Sequence, residues 1–421
     1  MHEIDINGLL NGVKCKCGKT HVCNIEKVYV ESGAIARLVE LCEPYNRILI
    51  VADENTYAVA GAKVKAVLKD KKIKETIFSG KTVLIPDERA IDKVNANIDG
   101  VDLILAVGSG VIQDLCKYVS KFSGIPYIDV ATAPSMDGYA SDGAAMILNG
   151  MKETVKAGLP KAIVADTEIL KNAPMDMIKS GYGDIIGKFS ALNDWKLSLI
   201  VNGEYYCPFI YDLTYKMIEN TLETAKGLLK REEKSVKALM DALVVVGIMM
   251  SFAGSSRPAS GSEHHLSHFF EIVGIVNNEP YLAHGTDVAY STIITAALRE
   301  KLAKTDFSKT QYRPKRQDYI NKMQEIYKSV GNGCVALQDK IGNYDKDRAQ
   351  IYLDNEEKIK SVLKECPTAK EIEKMLNKIG FDLSEFYAFY GKDKIENAVK
   401  YAKDLKDRYT VLWLNYDIFG E

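Results

Sequence analysis

Between residues 25 and 170 short apolar runs alternate with stretches whose apolar residues recur every three or four positions. Arg47–Ala52 (RILIVA) and Asp102–Val107 (DLILAV) are continuous and rich in aliphatic residues, the pattern of strands covered on both faces of a parallel sheet. Ile25–Glu31, Thr76–Ser79, Pro126–Ala131 and Lys161–Ala165 read as further strands, with helices over 34–41, 54–70, 87–97 and 111–122 between them. In the last of these helices Val111, Ile112, Leu115, Tyr118 and Val119 form one stripe. Two runs, 144–149 and 153–157, read as a hairpin turning at Asn149-Gly150. A βαβ series of this kind predicts a parallel sheet with helices on both faces.

From about Pro174 the spacing is helical to the end of the chain. Helices are predicted over 182–199, 209–229, 233–253, 318–330, 348–363, 369–376, 383–391 and 392–405. The expected division is therefore an α/β domain over 1–168 and an all-α domain over 169–421. The late helices alternate Lys and Glu, which reads as solvated faces.

A chain of 421 residues is long enough for two or three domains with real cores. A formal net charge of −2 offers no basic field for nucleic acid or an anionic membrane. No apolar run is expected to reach the roughly 20 residues of a membrane-spanning helix. With no basic-then-apolar leader in MHEIDINGLLNG, a cytoplasmic protein is expected. Of eight Cys, three cluster with a His in Cys15-Lys-Cys17-Gly-Lys-Thr-His21-Val-Cys23. That group has the donors of a small structural zinc knuckle, although its Cys-x-Cys spacing departs from the usual pairs and reduced thiols are the cytosolic default.

The chemistry concentrates in SGSEHHLSHFFE, residues 260–271. Ser260 with Glu263 three residues later is a capping-box pattern, so a helix is expected to start there. On it His264 and His268 share a face, and His284 opens what reads as the next helix. Four of the six His fall between residues 264 and 284. Two neutral imidazoles and one carboxylate make a three-ligand divalent site with room for substrate, though a lone His on a helix is more often a hydrogen-bonded structural residue or an exposed one than a ligand. Gly108-Ser109-Gly110 at a strand–helix turn is the candidate phosphate loop, lacking the third Gly of the dinucleotide fingerprint because Gln113 occupies it. Asp53, ending a strand, suits either a ribose hydroxyl or a helix cap. The loop 132–141 leaves the sheet where α/β ligands gather, which makes Asp137 and Ser141 candidate contacts. Asp184 is expected near a helix N-terminus, with Gly181 and Gly183 permitting close approach.

GSGVIQD, PSMDGYAS, a lone Asp184, RPASGSEHHLSHFFE and the closing DRYTVLWLNYDIFG together resemble the sn-glycerol-1-phosphate dehydrogenases, the bacterial branch above all, within the iron-type alcohol dehydrogenase and dehydroquinate synthase superfamily. The resemblance implies a Rossmann-like NAD-binding domain, a helical second domain and an active site in a cleft between them. It implies reduction of dihydroxyacetone phosphate to sn-glycerol 1-phosphate with NADH or NADPH, a zinc or nickel ion, and a homodimer. By the same resemblance Gly108, Ser109, Gly110 and Asp114 receive the pyrophosphate, and Thr132 and Ser141 touch cofactor. Asp184, His264 and His284 hold the metal, while Asp137, Asp184 and His268 meet the substrate. From the residues themselves, Asp53 would repel a 2′-phosphate and favour NADH, and Arg257 and His265 are local candidates for the substrate phosphate. The alternatives are a dehydroquinate-synthase-like cyclase and another polyol dehydrogenase of the superfamily.

Overall fold

A computed structural model describes residues 4–148, 151–310 and 317–420. Its contacts group residues 1–185 with 219–255, and residues 186–218 with 256–421. Of the three cuts, those after 185 and 218 fall inside continuous helices, Met175–Asn202 and Pro208–Leu229, and the one after 255 falls in a connecting turn.

The first unit is built on a six-stranded sheet. In chain order the strands are β1 (Val13–Lys14), β2 (Thr20–His21), β3 (Lys27–Glu31), β4 (Arg47–Asp53), β5 (Lys72–Phe78), β6 (Leu103–Gly108), β7 (Tyr127–Ala131), β8 (Gly143–Leu148), β9 (Met151–Lys156) and β10 (Ala162–Asp166). The large sheet runs β3-β10-β7-β6-β4-β5 with every pair parallel, whereas β1–β2 and β8–β9 are antiparallel hairpins. Alternation along the central strands sorts the core into two layers. Ile48, Ile50, Leu103, Leu105 and Val130 face one, and Leu49, Val51, Ile104, Ala106 and Tyr127 face the other. This is the α/β domain the apolar runs predict.

The predicted edges move where polar residues occupy regular structure. β5 begins at Lys72 rather than Thr76, because a strand paired on one side only tolerates the exposed Lys72 and Lys74, while Glu75 on the opposite face is engaged by Tyr57 and Lys65. β3 begins at Lys27, and the segment 34–41 is a 3₁₀ turn running into a short α-helix. The turn at Asn149-Gly150 lies outside the described residues.

Helices referred to below are α1 (Gly110–Ser123), α2 (Met175–Asn202), α3 (Pro208–Leu229), α4 (Glu233–Ala253), α5 (Ser262–Asn277), α6 (His284–Leu302) and α7 (Val411–Phe419). The second unit is helical throughout, apart from connecting turns, among the described residues. The single predicted helix over 348–363 is broken at Asn355 into Ala349–Asp354 and Glu356–Glu365, and Gly331–Ile341 and α7 are helices the periodicity did not single out.

One expectation about membranes is corrected. α4 has 21 residues and a mean hydropathy of 1.9 over its most apolar window, so it is long and apolar enough to cross a bilayer. That window is 72% buried inside the protein, with Leu243, Val244, Val245 and Ile248 fully covered, so the apolar surface has a protein partner.

α2 starts at Met175, which places Asp184 well inside the helix rather than near its N-terminus. Gly181 does supply the close approach expected of it: a Cβ there would lie 1.9 Å from the Pro134 carbonyl oxygen. The loop carrying Asp137 is therefore seated directly on α2, and Ser180 Oγ donates to the Ser135 carbonyl at 3.1 Å. Gly181→Ala is expected to cost ~1–3 kcal/mol by forcing backbone off backbone. Thermal unfolding checks it: a clear fall in Tm is expected, while Gly158→Ala, with no atom within 4 Å of where its methyl group would stand, leaves Tm unchanged.

Candidate active site

α5 does not begin with a Ser260 capping box. The cap is Gly261, a residue with no side chain of its own to cap the turn. The N-terminal donors are met instead by carboxylates. Glu263 Oε1 accepts from Gly261 N–H at 2.8 Å, and Asp194 Oδ2, on α2, accepts from Ser262 N–H at 2.7 Å. Asp194 also takes the N–H of Val411 at 2.9 Å, at the start of α7. Its charge is met by Arg299 of α6, 2.8 Å away, with both side chains almost wholly buried. Arg299 spends its remaining donors on Asn193 Oδ1, the Thr295 and Ser190 carbonyls and Ser262 Oγ.

With its start held this way, α5 presents His264 and His268 beside His284, the first residue of α6. Ring centroids lie 5.1 Å apart for His264–His284, 5.9 Å for His268–His284 and 6.2 Å for His264–His268. One ligand atom each from Asp184, His264 and His284 falls within 4.8 Å of the others, so the three residues are brought together. His264 Nδ1 lies 2.7 Å from Glu263 Oε1. A carboxylate there accepts the Nδ1 proton and leaves the Nε2 lone pair for an ion, the usual orienting contact of a metal-binding His. Ser267 Oγ stands 3.4 Å from His284 Nδ1, a weaker version of the same contact. Burial pushes the Glu263 carboxyl up, opposed chiefly by the Gly261 N–H. Borderline nitrogens with one hard carboxylate fit a zinc-, nickel- or iron-class divalent ion.

Asp137 N–H donates to Asp184 Oδ2 at 3.0 Å, which couples the PSMDG loop to the candidate ligand. Lys117, buried on α1, fixes the next turn by donating to the Gly138 and Gly143 carbonyls at 3.1 and 2.9 Å. It also reaches Asp114 Oδ1 at 3.4 Å, so Asp114 has an ion-pair partner. Ser141 Oγ donates to the Gly138 carbonyl, and Thr132 N–H to the Gly108 carbonyl.

Gly108 ends β6, and Ser109, the N-cap of the 14-residue α1, makes no side-chain hydrogen bond to the helix's first turn. Gly108 has a packing reason as well, since a Cβ would meet Ile112 at 2.6 Å. Gln113, in place of the third glycine, turns its amide back onto the Gly108 carbonyl at 3.1 Å. Asp53 caps the helix after β4, accepting from Asn55 and Thr56 N–H. Its two sequence readings thus include one realised contact, the cap.

Two local expectations fail. Arg257 is buried and engaged by Glu204 at 2.7 Å, the Tyr409 carbonyl and Ser198, so it braces a loop rather than facing a phosphate. His265 is fully buried, and that burial holds its ring far below the usual imidazole range, so it stays neutral and attracts no anion. Glu263, Asp194 and Lys117 were not among the site residues expected from sequence. Only Glu263 carried a signal, its adjacency to His264.

The parallel sheet, the helical second unit and the Asp/His/His group define a protein of the iron-containing alcohol dehydrogenase class. The family profile "Iron-containing alcohol dehydrogenase" matches residues 29–174. An iron-containing alcohol dehydrogenase from Thermococcus thioreducens superposes with a TM-score of 0.62 at 15% identity, covering 95% of this chain and 100% of that one. A probable glycerol dehydrogenase from Sinorhizobium meliloti gives 0.62 at 15% identity, over 94% and 96%. At such identities these two speak for the fold alone. In sequence, glycerol-1-phosphate dehydrogenase [NAD(P)+] of Geobacillus thermodenitrificans is 31% identical over 95% of this chain and 94% of its own length. That of Geobacillus stearothermophilus is 31% identical over 97% of each. The chain belongs to the glycerol-1-phosphate dehydrogenase family.

Removing either imidazole from the three-ligand group is expected to empty it: His264→Ala and His284→Ala should each lose the bound divalent ion, read as metal per chain after dialysis. Glu263→Gln, which keeps shape but weakens the hold on His264 Nδ1, should lower metal affinity about 10–100-fold. Full retention of metal by His264→Ala would contradict the ligand assignment.

Proposed function

We propose that the chain reduces dihydroxyacetone phosphate to sn-glycerol 1-phosphate with NADH or NADPH, using a divalent ion, zinc or nickel, held by Asp184, His264 and His284. The observation that carries this reading is the convergence of those three ligand atoms within 4.8 Å, in a chain so similar along its length to glycerol-1-phosphate dehydrogenases. The functional division we assign is nucleotide binding by 1–168, and metal and substrate binding by 169–421.

A bound divalent ion supplies Lewis acidity that favours negative charge on a ketone oxygen, worth several kcal/mol. A bound nicotinamide supplies the hydride. The chain's own residues bind, orient and manage the proton. Gly108, Ser109, Gly110 and Asp114 shape the first turn of α1 for the pyrophosphate, and Asp53 adds a ribose contact. Thr132 and Ser141 line the cofactor side. Asp137, whose N–H donates to Asp184 Oδ2, orients a substrate hydroxyl with its carboxylate. His268, one helical turn from His264, holds the proton that the product hydroxyl takes. Hydride plus that proton convert ketone and NAD(P)H to alcohol and NAD(P)+.

A homodimer and a cytoplasmic location accompany this reading, with neither nucleic acid nor a membrane as partner.

NADH oxidation on a small ketone panel tests the proposal. Turnover is expected with the phosphorylated ketone, lost on chelation and restored by zinc or nickel. Consumption of NADH only with unphosphorylated ketones would replace the substrate assignment by another polyol dehydrogenase. A reaction without net NADH consumption would point to the cyclase. His268→Ala is expected to keep metal and lower kcat about 10²–10⁴-fold.

A further inference from the structure

The N-terminal cysteine cluster has no part in the chemistry above, and the fold completes it differently from the sequence pattern. β1 and β2 pair with Val13 opposite His21 and Lys14 opposite Thr20, so residues 15–19 form the tip of a tight hairpin. Cys15 N–H donates to the Lys19 carbonyl at 3.0 Å and Gly18 N–H to the Cys15 carbonyl at 3.1 Å. Gly18 has a φ of +88°, the left-handed conformation that glycine adopts without strain. The turn sets Cys15 and Cys17 on the same side as His21. Cys23 goes elsewhere: it is buried with hydrogen bonds from Ser251 and the Ile25 backbone, and burial pushes its thiol up. Its place is taken by Cys207, the residue immediately before α3, and the ligand atoms of Cys15, Cys17, His21 and Cys207 all lie within 4.8 Å of one another.

The histidine is oriented as a metal ligand would be. Its Nδ1 lies 3.1 Å from the Phe252 carbonyl, and a carbonyl only accepts, so Nδ1 carries the proton. Nε2 is then the unprotonated nitrogen, and it stands 3.4 Å from Cys17 Sγ. A tetrahedral ion with bonds of about 2.3 Å to sulfur and 2.0–2.1 Å to nitrogen would set those two atoms about 3.6 Å apart. The ring is 2% exposed and stacks on Phe252 at 5.3 Å, so it has little freedom to turn away. Cys17 N–H approaches Cys15 Sγ at 3.5 Å, a contact that favours a thiolate. Lys14, Lys16 and Lys19 surround the tip and oppose the negative charge that three thiolates leave on a divalent ion.

We propose that Cys15, Cys17, His21 and Cys207 form a structural zinc site, separate from the Asp184/His264/His284 group. Three thiolates and one imidazole fill a tetrahedral shell and leave no position for substrate, so the ion's role is to hold the N-terminal hairpin. A plain Cys17–His21 hydrogen bond is the competing account, and it predicts no metal.

The test uses the full chain expressed with zinc supplied and thiols kept reduced. X-ray absorption at the zinc edge is expected to show sulfur scatterers at about 2.3 Å in the unmutated protein. Metal analysis should find a second equivalent per chain that Cys15→Ser/Cys17→Ser loses while the His-bound equivalent stays, and that Cys23→Ser keeps. His264→Ala should do the reverse, losing the other equivalent and retaining the sulfur signal. Zinc bound only through nitrogen and oxygen in the unmutated, reduced protein would overturn the proposal, and that reading stands even if the double variant fails to fold.

Discussion

An aspartate and an arginine sealed inside the helical unit hold its working parts in register. Asp194 and Arg299 are 1% exposed or less, and neither charge would survive such burial without the other. What they gain is positional. Asp194 grips the first N–H groups of both α5 and α7, and Arg299 ties α6 to α2 through Ser190 and Asn193. α5 carries His264 and His268, and α6 opens on His284, so the two helices that supply imidazoles are referred to one ion pair. A carboxylate on α2 thereby does the work that a local cap does in an isolated helix, and adds the favourable interaction of negative charge with a helix N-terminus.

The same economy recurs at Asp184 and Glu263. Each buried carboxylate answers more than one demand. Asp184 offers oxygen to the candidate three-ligand group and accepts the Asp137 N–H, which ties the loop after β7 to a candidate ligand. Glu263 accepts from Gly261 and from His264, closing the helix start and setting the ring's tautomer together. Lys117 extends this to α1, because the amine that pairs with Asp114 also fixes the Gly138 turn.

The first unit accounts for a composition that misleads when considered alone. α4 is as apolar as a membrane span, yet it belongs to a unit whose sheet and loops give it apolar neighbours. Gly247 lets it pack on the backbone at Ala140, where a Cβ would come within 2.8–3.0 Å, and Ser251 Oγ bonds the Ala140 carbonyl at 3.3 Å. The helix thus covers the turn that follows Asp137.

By itself the sequence determined whatever depends on neighbours a few residues apart. The continuous runs in β4 and β6 announced a sheet buried on both faces, the 3.6-residue spacing after Pro174 announced helices, and His264, His268 and His284 stood out because i and i+4 share a face. The tertiary structure alone decided the partnerships made across long separations. Asp194, sixty-eight residues away, replaced the Ser260 cap. Cys207 rather than Cys23 completed the thiol cluster, and Glu204 claimed Arg257. No periodicity encodes such pairings, because each satisfies a buried polar group with whichever partner the packed helices bring within reach.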